Sequence, residues 1–455
     1  MERRSRNAGP GGAFVPAGGA EPGGAEPGRD DLRSRRPDGP TPTSDPSLVA
    51  RIGAEIAAAG PLTFARFMEL ALYDPQAGYY RTPPERPTRR GDFLTAAEMD
   101  PIFGRTVGRW LAAAWEALRR PDPFTVIEYG AGSGALGTAA AEGMRRVAPA
   151  ALRALRYVPL ELNEHRSREL LERFEAAGLT AHLGRPDASP GGPAVGVVLA
   201  NEFLDALPVH RVEVHDGALR ERFVGWACPQ PAGGAVEPGG AIGLAGGPAD
   251  PAHGLVELLG PPSTPALAAR LADEGIRLAE GQQAEICLEL DPWLDDVQRR
   301  LGRGVVVVID YGRPATELYA PERRRGTLLA YAGHRTSEAF LRGVGRQDLT
   351  AHVDLTAVER AAAARGLAIL GRTTQQAFLV AAGLGDELVA VQADPGAALE
   401  GYAAVRSAVR RLLDPRALGG FRVLLLGRGV PPDLPLPGRP PASVSVDVPE
   451  RASRP

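Results

Sequence analysis

The stretch that most constrains the fold is residues 124–137, FTVIEYGAGSGALG. A short apolar run ends there at an acid, Glu128, and glycines follow at alternating positions, Gly130, Gly132 and Gly134, before an Ala-rich segment. This order predicts a strand, a tight glycine turn and the N-terminus of a helix. Glycines let a ligand approach the backbone closely, and the free N–H groups of a helix start attract anionic or polar atoms. We therefore predict that the turn binds a nucleotide-like ligand.

The glycine turn is compatible with two kinds of cofactor. Gly132, Gly134 and Gly137 match the pattern G-x-G-x-x-G of dinucleotide sites. Glu128 favours S-adenosylmethionine (SAM) instead, because a carboxylate can hold the methionine end of SAM but would repel a pyrophosphate. We predict SAM as the cofactor, bound at the strand end and in the turn by Glu128, Gly130, Ala131, Gly132, Ser133 and Gly134.

From residue 122 onward, apolar runs alternate with helical segments, which is typical of an α/β doubly wound sheet with helices on both faces. The apolar run 305–310 fits the buried middle of a parallel sheet. Asp216 and Gly217 predict the turn of a hairpin with strands 209–214 and 220–226. The remaining elements are predicted as strands 125–129, 157–162, 180–183, 195–200 and 377–381 and a helix 357–365.

Composition divides the chain into a folded part and two tails. Residues 1–46 are rich in Gly, Pro, Arg and Glu with few apolar side chains, so we predict a disordered tail. Residues 47–121 are predicted to form a helical extension, in which Asp100 and Pro101 are the cap and the first residue of the third helix. The other predicted parts are the α/β domain 122–428, its Gly/Pro-rich insertion 229–251 and a Pro-rich tail 429–455, expected to be loose after residue 431.

Composition also limits the class of function. The chain has 455 residues, a formal net charge of −3 and no lysine among its 52 basic residues, so we expect neither nucleic-acid nor membrane partners and no lysine catalysis. No apolar run approaches the roughly 20 residues of a membrane span. Cys228 and Cys287 form no metal-binding spacing, which fits a reduced cytoplasmic protein. Arginine as the sole basic residue type, with abundant Ala, Gly and Pro, suggests a GC-rich bacterial source.

Two acids further along the chain are candidates for adenosine binding. Glu161 ends the second predicted strand, where a carboxylate can bind both ribose hydroxyls. Asp187 lies in the turn after the third predicted strand and is placed to meet the adenine amino group. We predict both as cofactor-binding residues.

The methyl acceptor is predicted to bind after the fourth strand. Asn201 and Glu202 follow that strand at the carboxyl edge, where open α/β sheets build their sites. If residues 203–206 turn helically, Glu202 and Asp205 lie three apart on one face. Two carboxylates there could hold a guanidinium group and accept its proton, although capping of the following turn is an alternative role. We predict Asn201, Glu202 and Asp205 as the catalytic residues.

A later segment combines histidines with acids. His334, Asp348, His352 and Asp354 stand close together in sequence, but their spacing matches no standard ligand set, so we predict no metal site. A loop that returns over the mouth of the cofactor site is the favoured interpretation of this segment.

Six motifs follow one another along residues 52–384. They are GPLTFARFMELALYDPQAGYY, GDFLTAAEMDPIFG, IEYGAGSGALG, LANEFLDALPVHR, VVVVIDYG and GRQDLTAHVDLT, and LGGFRVLLLGRG stands after them. Through these motifs the chain resembles the MidA-like SAM-dependent methyltransferases, a family whose eukaryotic members are mitochondrial complex I assembly factors. Their combination is far more specific than the glycine turn alone.

The resemblance implies a class I (Rossmann-like) methyltransferase fold with added helices and SAM as the methyl donor. The characterised eukaryotic members imply a protein arginine as acceptor. The resemblance also carries over the glycine turn, Glu161 and the residues after strand four, and adds Asp92 of the GDF segment as a cofactor-binding residue. The chain departs from the family at Ala131, where Pro is usual, in residues 161–164 (ELNE), where the Ser common after the ribose acid is replaced, and in the insertion 229–251.

We therefore expect a methyltransferase that acts on a protein substrate, with arginine as the acceptor. The alternatives are a small-molecule SAM methyltransferase, a non-catalytic respiratory-complex assembly factor that retains the fold, and an oxidoreductase that binds NAD. An open acceptor cleft rimmed by acids would favour a protein substrate, and a closed apolar pocket a small molecule. The oligomeric state is left open, with a homodimer under consideration.

Overall fold

A computed structural model describes residues 42–83, 95–185, 192–227, 254–333, 335–393 and 399–438. The helices are α1 Pro46–Ala59, α2 Phe64–Tyr73, α3 Ala96–Met99, α4 Pro101–Ala117, α5 Ala135–Val147, α6 Pro149–Ala154, α7 Glu164–Ala176, α8 Ala266–Asp273, α9 Leu290–Arg300, α10 Ala315–Leu318, α11 Leu355–Ala364, α12 Gln375–Ala381, α13 Leu384–Gln392 and α14 Leu399–Leu413. The strands are β1 Leu62–Thr63, β2 Phe124–Tyr129, β3 Leu155–Leu160, β4 Ala194–Asn201, β5 His210–His215, β6 Ala218–Trp226, β7 Leu255–Gly260, β8 Gln283–Ile286, β9 Leu301–Asp310, β10 Gly312–Arg313, β11 Leu329–Ala332, β12 Arg335–Ser337, β13 Asp348–Thr350, β14 Val353–Asp354, β15 Ala368–Thr374 and β16 Arg422–Arg428.

The main sheet has six strands in the order β3-β2-β4-β9-β16-β15. Strands β3, β2, β4 and β9 are parallel, and β16 runs antiparallel to both of its neighbours. The register aligns Tyr129 with Leu160 and Asn201 with Ile309. The carboxyl ends of the four parallel strands therefore meet at one edge of the sheet, where ligands bind in folds of this kind.

Alternate residues of the central strands pack into two separate cores, which explains their continuous apolar sequence. Val197 and Val305 face the core that contains α4 and α5, whereas Val198 and Val306 face the core of α9 and α11. Helices thus cover both faces of the sheet. The predicted α/β class with a class I methyltransferase-like sheet is confirmed.

Two of the predicted strands are wrong. Residues 180–183 form a 3₁₀ turn, Thr180–His182, and only Leu183 bridges to Tyr157 of β3. Residues 377–381 belong to helix α12, which Thr374 caps by accepting a hydrogen bond from the backbone N–H of Ala377. A short apolar run fits a strand and a buried helix equally well, so periodicity could not separate them. The last strand of the chain is instead β16, which pairs with β9 and β15.

A second sheet, in the order β1-β6-β5-β8 with β7 beside β6, packs against the N-terminal helices. The predicted hairpin is present as β5 and β6, and its turn residues Asp216 and Gly217 have φ of 51° and 72°, as a type I′ turn requires. Asp100 and Pro101 begin α4 as predicted, because the Asp100 carboxylate accepts from the backbone N–H of Ile102. Tyr73 at the end of α2 and Ala97 and Glu98 of α3 line the cavity described below.

The start of the predicted C-terminal tail packs against the protein, contrary to the expectation of a loose segment after residue 431. Leu434 and Leu436 are buried, and the indole N–H of Trp110 donates to the Pro437 carbonyl over 3.0 Å. Apolar side chains at alternate positions give this stretch something to bury despite its proline content. Across the described ranges, no helix has the length and apolarity needed to cross a bilayer.

Candidate functional site

A cavity of about 680 Å³ opens at the carboxyl edge of the main sheet. Most of the residues predicted from the sequence as cofactor-binding or catalytic line it: Glu128, Gly130, Ala131, Gly132, Ser133, Glu161, Asn201, Glu202 and Asp205. Gly134 belongs to the turn but is absent from the lining. Asp92 and Asp187 lie outside the described residues, as does the whole of the predicted insertion 229–251.

The glycine turn has the geometry that its sequence predicts. Gly130, Gly132 and Gly134 have φ of 66°, 52° and 75°, a region that other residues adopt only at a cost. A Cβ on Gly134 would lie 2.7 Å from Cγ of Leu170, so this glycine lets α5 approach α7. A Cβ on Gly132 would have no atom of the described residues within 4 Å. The turn therefore exposes its backbone toward the cavity and keeps side chains away.

The third glycine of the dinucleotide-like pattern has a packing role. A Cβ on Gly137 would lie 2.4 Å from Cζ of Tyr157, whose ring stacks on Phe174 at 5.1 Å between centroids. The hydroxyl of Tyr157 donates a hydrogen bond to Glu128. Gly137 is thus needed to seat the tyrosine that orients the acid of the turn.

Glu128 is almost completely buried at the end of β2. Burial raises its pKa to about 8, so at neutral pH the carboxyl of the unliganded protein is mostly protonated. Its predicted repulsion of a pyrophosphate is correspondingly weak. What the structure adds is orientation: the Tyr157 hydroxyl fixes one oxygen of the carboxyl group.

Glu161 follows β3 and holds two backbone segments together. Its Oε2 accepts from the N–H of Gly132 and its Oε1 from the N–H of Asn163, each over 2.7 Å. Each carboxylate oxygen keeps a further lone pair, so the group can still accept hydrogen bonds from two hydroxyls of a ligand. This is the chemistry required of a ribose-binding acid.

Asn163, in the stretch 161–164 where the chain departs from the family pattern, links two parts of the structure. It is buried, and its side-chain oxygen caps α7. Its amide nitrogen donates to the carbonyls of Tyr80 and Thr82, each over 3.0 Å. Asn163 therefore joins the loop that contains Glu161 to the segment that follows α2.

Glu202 adopts a strained backbone conformation at the end of β4. Its φ is +49°, and its backbone N–H donates to the Ile309 carbonyl over 2.8 Å. Its Oε1 accepts from the N–H of Ala96, at the start of α3, over 3.0 Å. Its Oε2 and the Oδ1 of Asn201 are buried and have no hydrogen-bond partner among the described residues. Burial raises the pKa of Glu202 to about 8.

Asp310, the last residue of β9, fixes the acidic turn and was missed in the sequence. Its Oδ2 accepts from the backbone N–H groups of Phe203, Leu204 and Asp205 over 3.0–3.3 Å. Asp310 is fully buried beside Glu202 and Asp205, and burial raises its pKa well above the ordinary value. An acid at the end of a fully apolar strand on the same edge was the signal available in the sequence.

Residues 203–206 do turn helically, as a 3₁₀ turn, Leu204–Ala206. Burial raises the pKa of Asp205 to about 6, and a hydrogen bond from the Tyr311 hydroxyl opposes that rise. Tyr311 directly follows Asp310 and also lines the cavity. The two predicted carboxyls thus share one cavity with a tyrosine that the sequence analysis did not identify.

The later acidic segment divides. Asp348 lines the cavity and accepts from the Tyr80 hydroxyl over 2.7 Å, and the Tyr80 ring stacks on Tyr73 at 5.6 Å. Asp354 instead caps α11, and the His352 ring packs on Tyr311. His334 lies outside the described ranges, within which no group of three or more His, Cys, Asp or Glu side chains is arranged to hold a metal ion. The position of Asp348 in the cavity lining agrees with the predicted return of this segment over the mouth of the site.

The residues present fit a ligand with both hydroxyl and cationic groups, as SAM has. Glu161 offers acceptor capacity for ribose hydroxyls, and the glycine turn offers close backbone approach. Oδ1 of Asn201 and Oε2 of Glu202 can bind polar groups of a ligand, because neither has a hydrogen-bond partner among the described residues. Such pairing would offset the roughly 1–3 kcal/mol that a buried, unpaired polar group costs.

Comparison with known proteins gives a consistent result. The profile of a family described as "Putative S-adenosyl-L-methionine-dependent methyltransferase" matches residues 106–373. The mitochondrial protein arginine methyltransferase NDUFAF7 homologue of Drosophila melanogaster is 28% identical over 407 residues, 84% of this chain and 85% of that protein. Human mitochondrial NDUFAF7, also named a protein arginine methyltransferase, is 25% identical over 358 residues, 73% of this chain and 72% of its own length.

A solved structure extends the similarity to the fold. A Burkholderia thailandensis protein crystallised with bound S-adenosyl-homocysteine is 31% identical to this chain, with a TM-score of 0.73. The match covers 86% of this chain and 96% of that structure. Nearly all of the similar protein is therefore represented here.

Proposed function

Because the chain belongs to this family of S-adenosyl-L-methionine-dependent methyltransferases, we propose that its methyl acceptor is the guanidinium group of a protein arginine. SAM is the cofactor, and it supplies an already activated methyl group when bound. The relatives named as protein arginine methyltransferases support the choice of acceptor. At 25–28% identity they leave it as a proposal.

The observation that carries the proposal is the set of buried carboxyls in the cavity. Glu202 and Asp205 both line it, and one oxygen of Glu202 has no hydrogen-bond partner in the part of the chain that the structure describes. A guanidinium between these carboxyls would favour their ionised forms, because an opposite charge within about 4–6 Å lowers the pKa of a carboxyl. The same groups could then accept the proton that the acceptor nitrogen loses.

Aromatic side chains complete a wall suited to a planar cation. Tyr73, Tyr80 and Tyr311 line the cavity, and the first two are stacked on each other. Tyrosine faces attract guanidinium groups through their ring quadrupole, while Asp348 and Asp205 add hydrogen-bond acceptors. Alignment of the acceptor nitrogen with the methyl group and exclusion of water are the main contributions required of the protein.

The test is methyl transfer from labelled SAM to the proteins of a cell extract, followed by acid hydrolysis and amino-acid analysis. We expect label in methylarginine, and a loss of about 100-fold or more in the Glu202→Gln and Asp205→Asn variants. Glu116→Gln is the matched control, because Glu116, on α4, forms an exposed ion pair with Arg120. Label in another residue type, or only in small molecules, would overturn arginine as the acceptor.

A further inference from the structure

The first described residues of the chain lie at the cavity, beside the wall that carries Asp348. Pro42, the first described residue, lines the cavity and packs against Gly343, where a Cβ would lie 2.9 Å from Cγ of Pro42. Asp348, five residues beyond Gly343, also lines the cavity and accepts from Tyr80. The chain upstream of Pro42 therefore leaves from the wall that carries Asp348.

Three contacts fix the position from which it leaves. The backbone N–H of Asp45 donates to the Val344 carbonyl over 2.9 Å, and the N–H of Val344 donates to Oγ of Ser44 over 3.0 Å. The guanidinium of Arg346 donates to the Asp45 carboxylate over 3.0 Å, so the positive charge of this cavity-lining arginine is paired. Ser44 is buried, which shows that this short segment is part of the folded structure.

The sequence just upstream carries a dense set of candidate acceptors. The N-terminal arginine run, Arg29, Arg33, Arg35 and Arg36, ends six residues before Pro42. The six-residue link from Arg36 to Pro42 can span at most about 21 Å, because an extended chain spans at most about 3.5 Å per residue. A tether of this length gives an effective concentration in the millimolar range, well above that of most external acceptors.

We propose that an arginine of the N-terminal arginine run is a methyl acceptor of the chain's own site. The inference rests on the proposed function, since it requires that the cavity accept a guanidinium group. A guanidinium nitrogen uses its electron pair for the new N–CH₃ bond as the carbon–sulfur bond breaks with its pair retained by sulfur. The nitrogen loses one proton to the Glu202 or Asp205 carboxylate, which balances the step.

The test incubates the purified full-length chain with labelled SAM and maps the modified peptide by mass spectrometry. We expect methylarginine within residues 29–36, at an initial rate per chain that does not change over about a 100-fold range of protein concentration, because the reaction is intramolecular. A variant with lysine at positions 29, 33, 35 and 36 should lose the modification. The matched control, with lysine at positions 3, 4 and 6, should retain it.

A second readout needs no SAM. Amide hydrogen exchange of residues 343–350 should be slower in the wild type than in a variant with glutamine at the four positions of the run, because the bound guanidinium orders that wall. Equal exchange in the two proteins would contradict the proposal. So would methylation at arginines outside 29–36, or a rate per chain that rises in proportion to concentration.

Addition of cell-extract proteins separates the two hypotheses. Methylarginine in the extract but none in residues 29–36 would overturn self-methylation and leave the proposed function intact. Methylarginine in neither would overturn both.

Discussion

The glycine turn after β2 and the acidic turn after β4 lie at the same edge of the sheet but are built differently. The glycine turn is shaped by positive φ at Gly130 and Gly132 and interacts mainly through its backbone. The acidic turn uses side chains, and it is held in place by Asp310, which follows it by more than a hundred residues. The conformation of the glycine turn is thus encoded by nearby residues, whereas that of the acidic turn depends on a distant strand.

Removing the support of the acidic turn should have the largest effect. In Asp310→Ala, three backbone N–H groups lose their acceptor, two of them buried, and a buried group left unpaired costs about 1–3 kcal/mol. We expect the free energy of unfolding to fall by at least roughly 3 kcal/mol in chemical denaturation. Asp295→Ala, which removes an exposed carboxylate on α9, should change it by less than about 1 kcal/mol. Equal losses would show that Asp310 has no special role.

A side chain in the glycine turn should act on the cofactor rather than on stability. Gly132→Val places a branched side chain at φ +52° in the cavity wall, so we expect SAM affinity to fall about 100-fold by calorimetry. Gly217→Val carries similar strain, at φ +72° in the hairpin turn, away from the cavity. If both variants bind SAM like the wild type, the turn does not bind the cofactor.

The contribution of the acidic turn to stability should depend on pH. Burial raises the pKa of Glu202 from 4.5 to about 8, so between these values the folded protein holds a proton that the unfolded chain has released. Stability must therefore fall as pH rises from about 4.5 to about 8, by roughly 1 kcal/mol per pH unit for this group. Glu202→Gln should flatten the slope seen in denaturation at a series of pH values, and Glu116→Gln should not. A slope unchanged in Glu202→Gln would contradict the assignment.

The smallest effect is expected at the aromatic wall. Tyr80→Phe removes the hydroxyl that donates to Asp348, a net contribution of about 1 kcal/mol. We expect KM for the acceptor to rise about fivefold while SAM affinity stays unchanged, as measured by steady-state kinetics and calorimetry. Tyr402→Phe on α14 is the control, because Tyr402 contacts Arg406 at the surface. A change in SAM affinity alone would indicate that Tyr80 acts on the cofactor and not on the acceptor.

Sequence reasoning succeeded where the signal was local. The strands β2, β4 and β9, the glycine turn, the hairpin at Gly217 and the cap of α4 each follow from residues within a few positions of one another. It failed for 377–381, because a five-residue apolar run has no period long enough to distinguish helix from strand. Capping by Thr374 was the signal available there.

The sequence by itself determined the α/β fold, the glycine turn and the acids that follow the strands, because backbone conformation and strand patterning depend on neighbouring residues. Only the tertiary structure decided which side chains from distant parts of the chain line the cavity beside those acids. Asp310 reaches a turn 105 residues away, and Tyr80 bonds Asp348 at a separation of 268 residues. Such pairs arise from the order of strands in the sheet and from burial, and no local pattern encodes them.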